Sequence, residues 1–360
     1  MNNKLKVNNK KVQTAIIGFG YMGVYHYNKA KETGIYEITS AFDISSEALK
    51  KAEDEGINAV EDVNEILQDQ NIEFVIICTP NDTHAYYSKL ALNSGKHVLV
   101  EKPVTMNEVE LEEVIDCALK NERIFTVHQN RRWDEDYLAV KNIVGSGQIG
   151  EITSIESKVF GQKGVCYGWR AEPEYGGGML YDWGIHLIDQ ALQMFSNEKV
   201  ISVYARLQSI LTPKVDDNIE IHLMFESGLI YKIYIGTFAL QEQPRWMVFG
   251  DRGTMALKEF NAQNGSAKRI KGDVEGFDSV FGKKIIGPSR TMAPLRPENI
   301  EIIDLPNIEP YSNEYHKNLI AAIKGDENPL VTNTDMKRAM KIVMTAFESS
   351  DKKQVIKITI

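Results

Sequence analysis

Lys102 stands at the end of a short apolar stretch, where an ammonium group can stabilise negative charge on a reacting oxygen. His97 to Val100 is mostly apolar and is followed at once by Glu101-Lys102-Pro103. Such a stretch is typical of a buried strand in a parallel sheet, and ligands bind at the carboxyl ends of these strands. Pro103 restricts Lys102 to extended or turn geometry. We therefore expect the ammonium to face a ligand crevice; the alternative is a surface lysine before a loop.

Asp182 and His186 have the residue types and spacing for proton transfer. They follow the glycines 176 to 178, in a segment that predicts a helix to about Phe195. Because they are four residues apart, they share one helix face, and Asp189 lies three residues further along it. An ionised aspartate beside a histidine fixes its tautomer and stabilises the imidazolium. A base that takes a proton from an alcohol while hydride leaves the carbon needs this support. The alternatives are a solvated helix face and a polar pair between domains.

A glycine-rich turn near the start of the chain predicts a dinucleotide site. Val12 to Ile17 is an apolar strand, a helical pattern follows to about Lys31, and between them stands Gly18-Phe19-Gly20-Tyr21-Met22-Gly23. In this context the first glycine permits the tight turn, the second lets the backbone approach a pyrophosphate, and the third allows close packing of helix on strand. The phosphates then meet the positive end of the helix.

Asp43 ends the second predicted strand, Tyr36 to Phe42, at the interval expected of an acid that binds the adenosine ribose. A carboxylate there repels a 2′-phosphate, and no arginine follows in Ile44-Ser45-Ser46 to hold one. We therefore predict NAD rather than NADP as the cofactor. The alternative role for Asp43 is to cap the helix that starts near Ser46.

Further strands and helices alternate up to His128, which predicts a doubly wound parallel sheet of six strands. Thr79-Pro80-Asn81 follows the buried strand that starts at Phe74, so this loop is expected to touch the cofactor, with His84 nearby. Asn130, after the sixth strand, and Glu101 are also expected to contact the cofactor. Arg131 and Trp133 follow Asn130, and they suit a ligand rich in hydroxyl groups and equally suit packing between domains.

From Ile152 onward the sequence pattern changes to longer strands with alternating polarity. These strands predict a second α+β domain on a large, mostly antiparallel, open sheet. Residues 261–297 show weak periodicity and predict a long excursion from this sheet. The predicted units are a flexible tail (1–11), a nucleotide-binding domain (12–130), a substrate and oligomerisation domain (131–330) and a C-terminal helix and tail that pack back on the first domain (331–360).

The composition excludes several classes of function. The 360 residues carry a net charge of −9 without a basic block, which argues against nucleic acid as a partner. No apolar run is long enough for a membrane span, and the polar N-terminus is not expected to act as a signal peptide. Three scattered cysteines indicate a reducing cytoplasm, and no group of histidines and carboxylates has metal-ligand spacing, so no metal is expected.

Gly18 to Gly23, Thr79-Pro80-Asn81 and Glu101-Lys102-Pro103, in this order and spacing, resemble the Gfo/Idh/MocA family of NAD(P)-dependent oxidoreductases. The stretch from Gly176 to Asp189 matches the family motif Gly-Gly-Gly…Asp-x-Gly-x-His-x-x-Asp in full. The resemblance implies that Lys102 lies beside the nicotinamide and binds the reacting oxygen. It further implies the roles of the remaining site residues: His186 as acid/base, Asp182 as a ligand of the substrate hydroxyl or as the group that orients His186, and Trp169 and Arg170 as lining of the substrate pocket.

The implied activity is NAD-dependent oxidation of a secondary ring hydroxyl of a sugar or glycoside, with C3 of a glucopyranoside as the preferred position. Inositol dehydrogenase is the alternative, because a cyclitol offers nearly the same ring of hydroxyls. Two other classes stay open, namely a glycosidase that uses NAD transiently for elimination and a regulator that binds cofactor without catalysis. Members of the family commonly pair through the open sheet face, so a homo-oligomer is expected.

Overall fold

Six parallel strands form the first sheet of the computed structural model, which describes residues 11–164, 166–272, 294–308 and 313–360. The strand order is β3-β2-β1-β4-β5-β6, which confirms the predicted doubly wound sheet. The strands are short apolar runs because helices cover both faces of the sheet. Their bounds are β1 (Val12–Ile17), β2 (Tyr36–Phe42), β3 (Asn58–Val60), β4 (Phe74–Ile77), β5 (His97–Val100) and β6 (Phe125–Val127).

A helix follows each of the first five strands. These helices are α1 (Tyr21–Thr33), α2 (Ser46–Asp54), α3 (Val63–Gln68), α4 (His84–Asn93) and α5 (Glu108–Lys120). The strand order changes direction between β1 and β4, so the loops after these strands diverge and leave a crevice at the carboxyl edge of the sheet. Every predicted site residue of the first domain lies in a loop or helix start at this edge.

The second sheet has nine strands within the described residues, in the order β14-β13-β12-β11-β7-β10-β9-β8-β15. Strands β7 and β10 pair in parallel and the other neighbours are antiparallel, which confirms a mostly antiparallel sheet. The bounds are β7 (Ile152–Phe160), β8 (Val200–Gln208), β9 (Asn218–Phe225), β10 (Ile230–Gly236), β11 (Trp246–Gly250), β12 (Gly253–Leu257), β13 (Gly265–Ile270), β14 (Ile300–Ile303) and β15 (Ile356–Lys357).

Four more helices complete the described chain: α6 (Glu135–Ser146), α7 (Ile185–Met194), α8 (Glu314–Ile323) and α9 (Asn333–Lys352). A π-helical turn, Leu180–Gly184, leads directly into α7. Helices α7 and α9 cover one face of the second sheet, where side chains are buried, and the alternate side chains face the opposite, open side. In the described ranges, every helix is too short or too polar to cross a membrane.

The C-terminal segments join the two sheets, which differs from the predicted domain boundaries. Helix α8 packs on the first domain, where the Tyr315 hydroxyl donates to the carbonyl of Val127 at 2.8 Å. Helix α9 contacts both α5 and β8, and the tail strand β15 pairs with β8. Residues 331–360 therefore contact both domains, and the predicted packing on the nucleotide-binding domain accounts for only some of these contacts.

Two predicted irregular segments fall partly outside the described residues. These are the N-terminal tail, of which residues 1–10 are outside, and the excursion at 261–297, of which residues 273–293 are outside. The described part of that excursion contains β13, which pairs with β12 on one side and β14 on the other. Its weak sequence periodicity reflects an edge region in which most side chains stay exposed.

Candidate active site

A cleft of about 400 Å³ lies at the carboxyl ends of β1, β2, β4 and β5. Both the first domain and the loop before the π-helical turn contribute to its walls. Most of the predicted cofactor-binding residues line this cleft, namely Gly18, Gly20, Tyr21, Met22, Asp43, Thr79, Pro80, Asn81, Glu101 and Lys102, together with the predicted substrate residues Trp169 and Arg170.

The glycine-rich turn has the shape that a pyrophosphate needs. Gly18 has φ +95°, and an added Cβ would overlap the backbone of Cys78, so only glycine fits there. Gly20 is open, because nothing lies within 4 Å of an added Cβ. Gly23 packs directly against the carbonyl of Gly18 and stays out of the cleft. Among the described residues no side chain caps the first turn of α1, so its amide groups are available to phosphate oxygens. The turn therefore fits a dinucleotide.

Asp43 connects the glycine-rich turn to the end of β2. Its carboxylate accepts hydrogen bonds from the amides of Phe19 at 2.7 Å and Ser45 at 2.9 Å. Ser45, and not Asp43, caps α2 by accepting from the amide of Ala48, so the alternative role of Asp43 as the cap of that helix is wrong. The carboxylate lies on the cleft wall beside Ile44.

Three predicted cofactor residues do not face the cleft with their side chains. His84 is fully buried, with Nδ1 2.7 Å from the carbonyl oxygen of Pro103 and Nε2 3.0 Å from that of Thr79, so it braces two loops instead. The Phe19 ring belongs to the core beside Tyr27, and only its backbone follows the turn. The side chain of Asn130 forms a hydrogen bond with the Tyr25 hydroxyl. These placements correct the prediction, because chain proximity to the motif does not fix side-chain direction.

Lys102 and Asp182 meet at the inner end of the cleft. The Lys102 ammonium donates to Oδ1 of Asp182 at 2.5 Å and to its carbonyl oxygen at 2.9 Å. Arg170 Nε lies 3.9 Å from the same Oδ1. Burial alone would raise the pKa of Asp182, but Lys102 and then Arg170 hold it below its ordinary value. The carboxylate is therefore ionised, and the pair joins the first domain to the second.

His186 lies at the start of α7, four residues after Asp182, and is oriented by Gln129. His186 Nδ1 is 2.9 Å from Oε1 of Gln129, an arrangement in which Nδ1–H donates and Nε2 keeps its lone pair. The suggestion that Asp182 orients His186 is thus not what the structure contains. Leu180–Gly184, at the start of the predicted helix, forms a π-helical turn.

Burial, followed by the positive charges of Lys102 and Arg131, holds the pKa of His186 well below its ordinary value. Arg131 itself lies 4.0 Å from the ring centre of Trp183 and pairs with Asp134 at 2.8 Å. It therefore approaches the site from the second-domain side. Trp133, in contrast, packs its ring against Tyr315 at 5.5 Å, so the packing alternative holds for this residue and the ligand role does not.

Gln129 is the functional side chain that sequence reasoning missed. It follows His128 at the carboxyl end of β6, the edge that also carries Lys102. The rule that ligands gather at this edge could have selected it, whereas residue type could not, because a glutamine carries no charge. Tyr87 and Tyr175 also line the cleft without a motif to mark them.

Comparison with known proteins agrees with this geometry. The family described as "Oxidoreductase family, NAD-binding Rossmann fold" matches residues 12–129, and the family described as "GFO/IDH/MocA C-terminal domain" matches residues 137–256. The crystal structure of an NAD-binding protein from Listeria innocua has a TM-score of 0.91 at 34% identity, covering 97% of this chain and 100% of that one.

Two relatives extend the comparison. An uncharacterized oxidoreductase of Schizosaccharomyces pombe, C26H5.09c, is 31% identical over 255 residues, which are 68% of this chain and 69% of the relative. The scyllo-inositol 2-dehydrogenase (NADP(+)) IolW of Bacillus subtilis is 25% identical over 348 residues, which are 96% of this chain and 95% of the relative. Together with the dinucleotide cleft that Lys102 lines, these matches show that the chain is an oxidoreductase of the Gfo/Idh/MocA family.

Proposed function

We propose that this protein is an NAD-dependent dehydrogenase that oxidises a secondary ring hydroxyl of a sugar, glycoside or cyclitol to a ketone. The observation that carries the proposal is the contact of Lys102 Nζ with Asp182 Oδ1 at 2.5 Å. Lys102 lines the dinucleotide cleft, and Asp182 precedes the buried His186 by four residues. A cation, an ionised carboxylate and a neutral base in one place suit the loss of a proton from an alcohol.

The residues divide the reaction as follows. Nε2 of His186 takes the hydroxyl proton, and its low pKa keeps it unprotonated and ready to do so. The Lys102 ammonium donates to the developing alkoxide oxygen, and the Asp182 carboxylate holds that ammonium and accepts from a neighbouring hydroxyl. The nicotinamide, when bound, supplies the acceptor for the hydride that leaves the same carbon. The carbon–oxygen bond becomes a carbonyl, and one proton stays on His186.

Two substrate classes remain in competition. The resemblance that favours C3 of a glucopyranoside has no further support, while the alignment with IolW, a scyllo-inositol 2-dehydrogenase by name, favours a cyclitol. Both present equatorial hydroxyls to the Lys102 and Asp182 pair. The redox-elimination glycosidase is less favoured because Lys102, Asp182 and His186 are all present and fit simple alcohol oxidation.

The preference for NAD rests on Asp43. Among the described residues that line the cleft, the two cations are Lys102 and Arg170, and both lie at the Asp182 end. A 2′-phosphate near Asp43 would therefore meet a carboxylate and no partner. IolW, which is NADP-linked by name, differs from this proposal.

We predict that Asp43→Ala raises KM for NAD at least about tenfold and changes KM for NADP little, because a ribose acceptor and a repulsive charge are lost together. Initial rates with each cofactor measure both constants. Asp62→Ala, which removes the cap of α3 away from the cleft, is the control. Equal effects on both cofactors would reduce Asp43 to a brace of the glycine-rich turn.

The function is tested by incubating the protein with NAD and a panel of inositols, free sugars and aryl glucosides, while NADH absorbance and product mass are followed. Loss of two hydrogens with one NADH establishes the dehydrogenase, and the responding compound identifies the class. Cleaved glycoside without net NADH would favour the glycosidase. Lys102→Ala is expected to bind NAD and to lose turnover by orders of magnitude. Near-normal turnover in that variant would remove Lys102 from the mechanism.

We also propose a cytoplasmic homo-oligomer, paired through the open face of the second sheet. The three cysteines of the chain, Cys78, Cys117 and Cys166, are unpaired thiols, as suits a reducing compartment. The open face carries a row of half-buried rings, Tyr204, His222 and Tyr234, in mutual contact across β8, β9 and β10. A row of rings is a suitable centre for a protein interface.

A further inference from the structure

Three histidines that are far apart in the sequence meet behind the cofactor cleft. His26 comes from α1, His128 from the end of β6 and His316 from α8. Their residues are 0%, 1% and 2% exposed. One ring nitrogen of each lies within 4.8 Å of one ring nitrogen of the others. No spacing in the sequence announces this cluster, because it depends on how α8 returns to the first domain.

The carboxylate of Glu101 determines which nitrogens carry protons. Its Oε1 lies 2.9 Å from Nε2 of His26 and 2.8 Å from Nδ1 of His128, so both of these nitrogens donate to it. The second nitrogen of each ring then carries a lone pair. Nδ1 of His26 is 3.3 Å from Nε2 of His316. Among the described residues, Nε2 of His128 and Nδ1 of His316 are buried without a hydrogen-bond partner.

We propose that His26, His128 and His316 form a binding site for one divalent transition-metal ion, for which Zn²⁺ is the best match. Imidazole nitrogen is a preferred zinc ligand. The 3.3 Å between His26 and His316 is long for a hydrogen bond and close to the roughly 3.4 Å that separates two nitrogens on a tetrahedral zinc with bonds of about 2.1 Å. Glu101 accepts hydrogen bonds from two rings, at the nitrogens that would not bind the ion, as the outer carboxylate of a metal-bound histidine does.

The charge state of the cluster also suits a metal. Nε2 of His26 and Nδ1 of His128 donate to Glu101, so the other nitrogen of each ring keeps a lone pair that can bind a metal. The Glu101 carboxylate lies on the far side of both rings. The site therefore offers neutral nitrogens and one compensating negative charge.

Cys78 gives the cluster a route to solvent. Its sulfur, together with His26 and Glu101, forms a second group of potential ligand atoms within 4.8 Å of one another. Cys78 and Glu101 both line the cofactor cleft, so an ion can enter through the cleft and pass Cys78. If the thiol joins the coordination, its proton leaves to solvent as the sulfur–metal bond forms.

The test is metal stoichiometry, which is independent of catalysis and of the proposed function. Protein purified without a histidine tag is dialysed against Zn²⁺, desalted and analysed by elemental mass spectrometry. We expect about one zinc per chain. A chelator should not remove this zinc from the folded protein but should remove it once the protein is unfolded. Co²⁺ in place of zinc should give visible ligand-field bands of a tetrahedral site. Cys78→Ser would remove any thiolate charge-transfer band.

His316→Asn and His128→Gln are each expected to lower the zinc content at least tenfold. His222→Asn, on the open sheet face and outside the cluster, is the matched control and should keep it. Circular dichroism and NAD binding show whether each variant is folded. Less than a tenth of a zinc per chain in the unaltered protein would overturn the proposal and leave a hydrogen-bonded histidine network. Equal zinc in the His316, His128 and His222 variants would overturn it as well.

Discussion

In the proposed reaction, Gln129 supports the base His186 with an amide in place of a carboxylate. An amide oxygen fixes the tautomer of His186 but brings no charge to stabilise the imidazolium. The low pKa of His186 is consistent with a site that favours the neutral ring. Proton transfer from the substrate is therefore assisted mainly by the alkoxide partner, Lys102, and less by stabilisation of the protonated base.

Gln129→Leu is predicted to lower kcat by about 10²-fold, in the range associated with general base catalysis, with a smaller change in KM, because His186 then samples the wrong tautomer. Gln129→Glu should keep more activity and shift the acid limb of the pH profile upward, since a carboxylate stabilises the imidazolium. Steady-state kinetics across pH measure both. A Gln129→Leu variant with unchanged kcat would contradict an orienting role.

The positive charge of Arg131 also affects the pKa of His186. Since the pKa of His186 lies well below its ordinary value, oxidation should persist below pH 6.5, the ordinary histidine pKa. Removal of one positive charge makes protonation easier, so Arg131→Met is predicted to move the acid limb of kcat/KM to higher pH. Arg170→Met removes a charge near Asp182 and serves as the control, with an unshifted acid limb. Identical profiles for the unaltered protein and Arg131→Met would contradict the predicted effect.

At the scale of elements, α7 is fixed by a buried ion pair to the segment that follows β6. Arg132 donates to both carboxylate oxygens of Asp189, at 2.7 and 2.6 Å, and both side chains are nearly inaccessible. The Arg132 guanidinium also donates to the carbonyl of Leu330 at 2.9 Å. The pair lies one helical turn from His186 and holds the start of α7 in position.

Asp189→Ala is predicted to lower the free energy of unfolding by about 3 kcal/mol, the low end for a broken buried pair, because Arg132 then keeps only its longer contact with Asp335 at 3.4 Å. The double variant Arg132→Leu/Asp189→Leu should lose less than Asp189→Ala alone, since no unpaired charge remains. Urea unfolding measures these values. Asp54→Ala breaks the exposed pair with Lys50 and should change stability little. A double variant less stable than the single one would contradict this account.

Most elements of the first domain could be predicted because each is locally encoded. The predicted bounds of β1, β2 and β5 agree with the structure, since short apolar runs between turn residues specify buried strands. The π-helical turn could not be predicted, because a π turn depends on packing and not on a sequence period. The partner of His186 was equally hidden, because Gln129 comes from a distant part of the chain.

At the scale of the whole molecule, the sequence indicated the two sheets and the residues that line the cleft, but not the contacts between distant segments. The position of His316 beside His26 and the pairing of β15 with β8 depend on the final course of the chain. Side-chain direction was equally hidden, and for this reason His84 and Trp133 were assigned to ligands that they do not face.

The predicted oligomer is a property of the whole molecule. Tyr234→Glu is expected to convert the assembly to monomers, because a charge at the centre of the ring row on the open face would be buried in the interface. Size-exclusion chromatography with light scattering measures the mass. Leu119→Glu, at an exposed position on α5, is the matched control and should keep the assembly. A monomeric mass for the unaltered protein would remove the interface.

Helix α9 limits how the two halves of the chain can be separated or exchanged. It lies against α5 in the first domain, with Lys337 and Lys341 paired to Glu112 and Glu108, and it also covers β8 of the second sheet. Neither half therefore completes its apolar core before the last turns of the chain are in place. Although the two halves match separate family descriptions, they share this helix, so we expect a foreign counterpart of either half to be accepted only if it suits the face of α9 that it would cover.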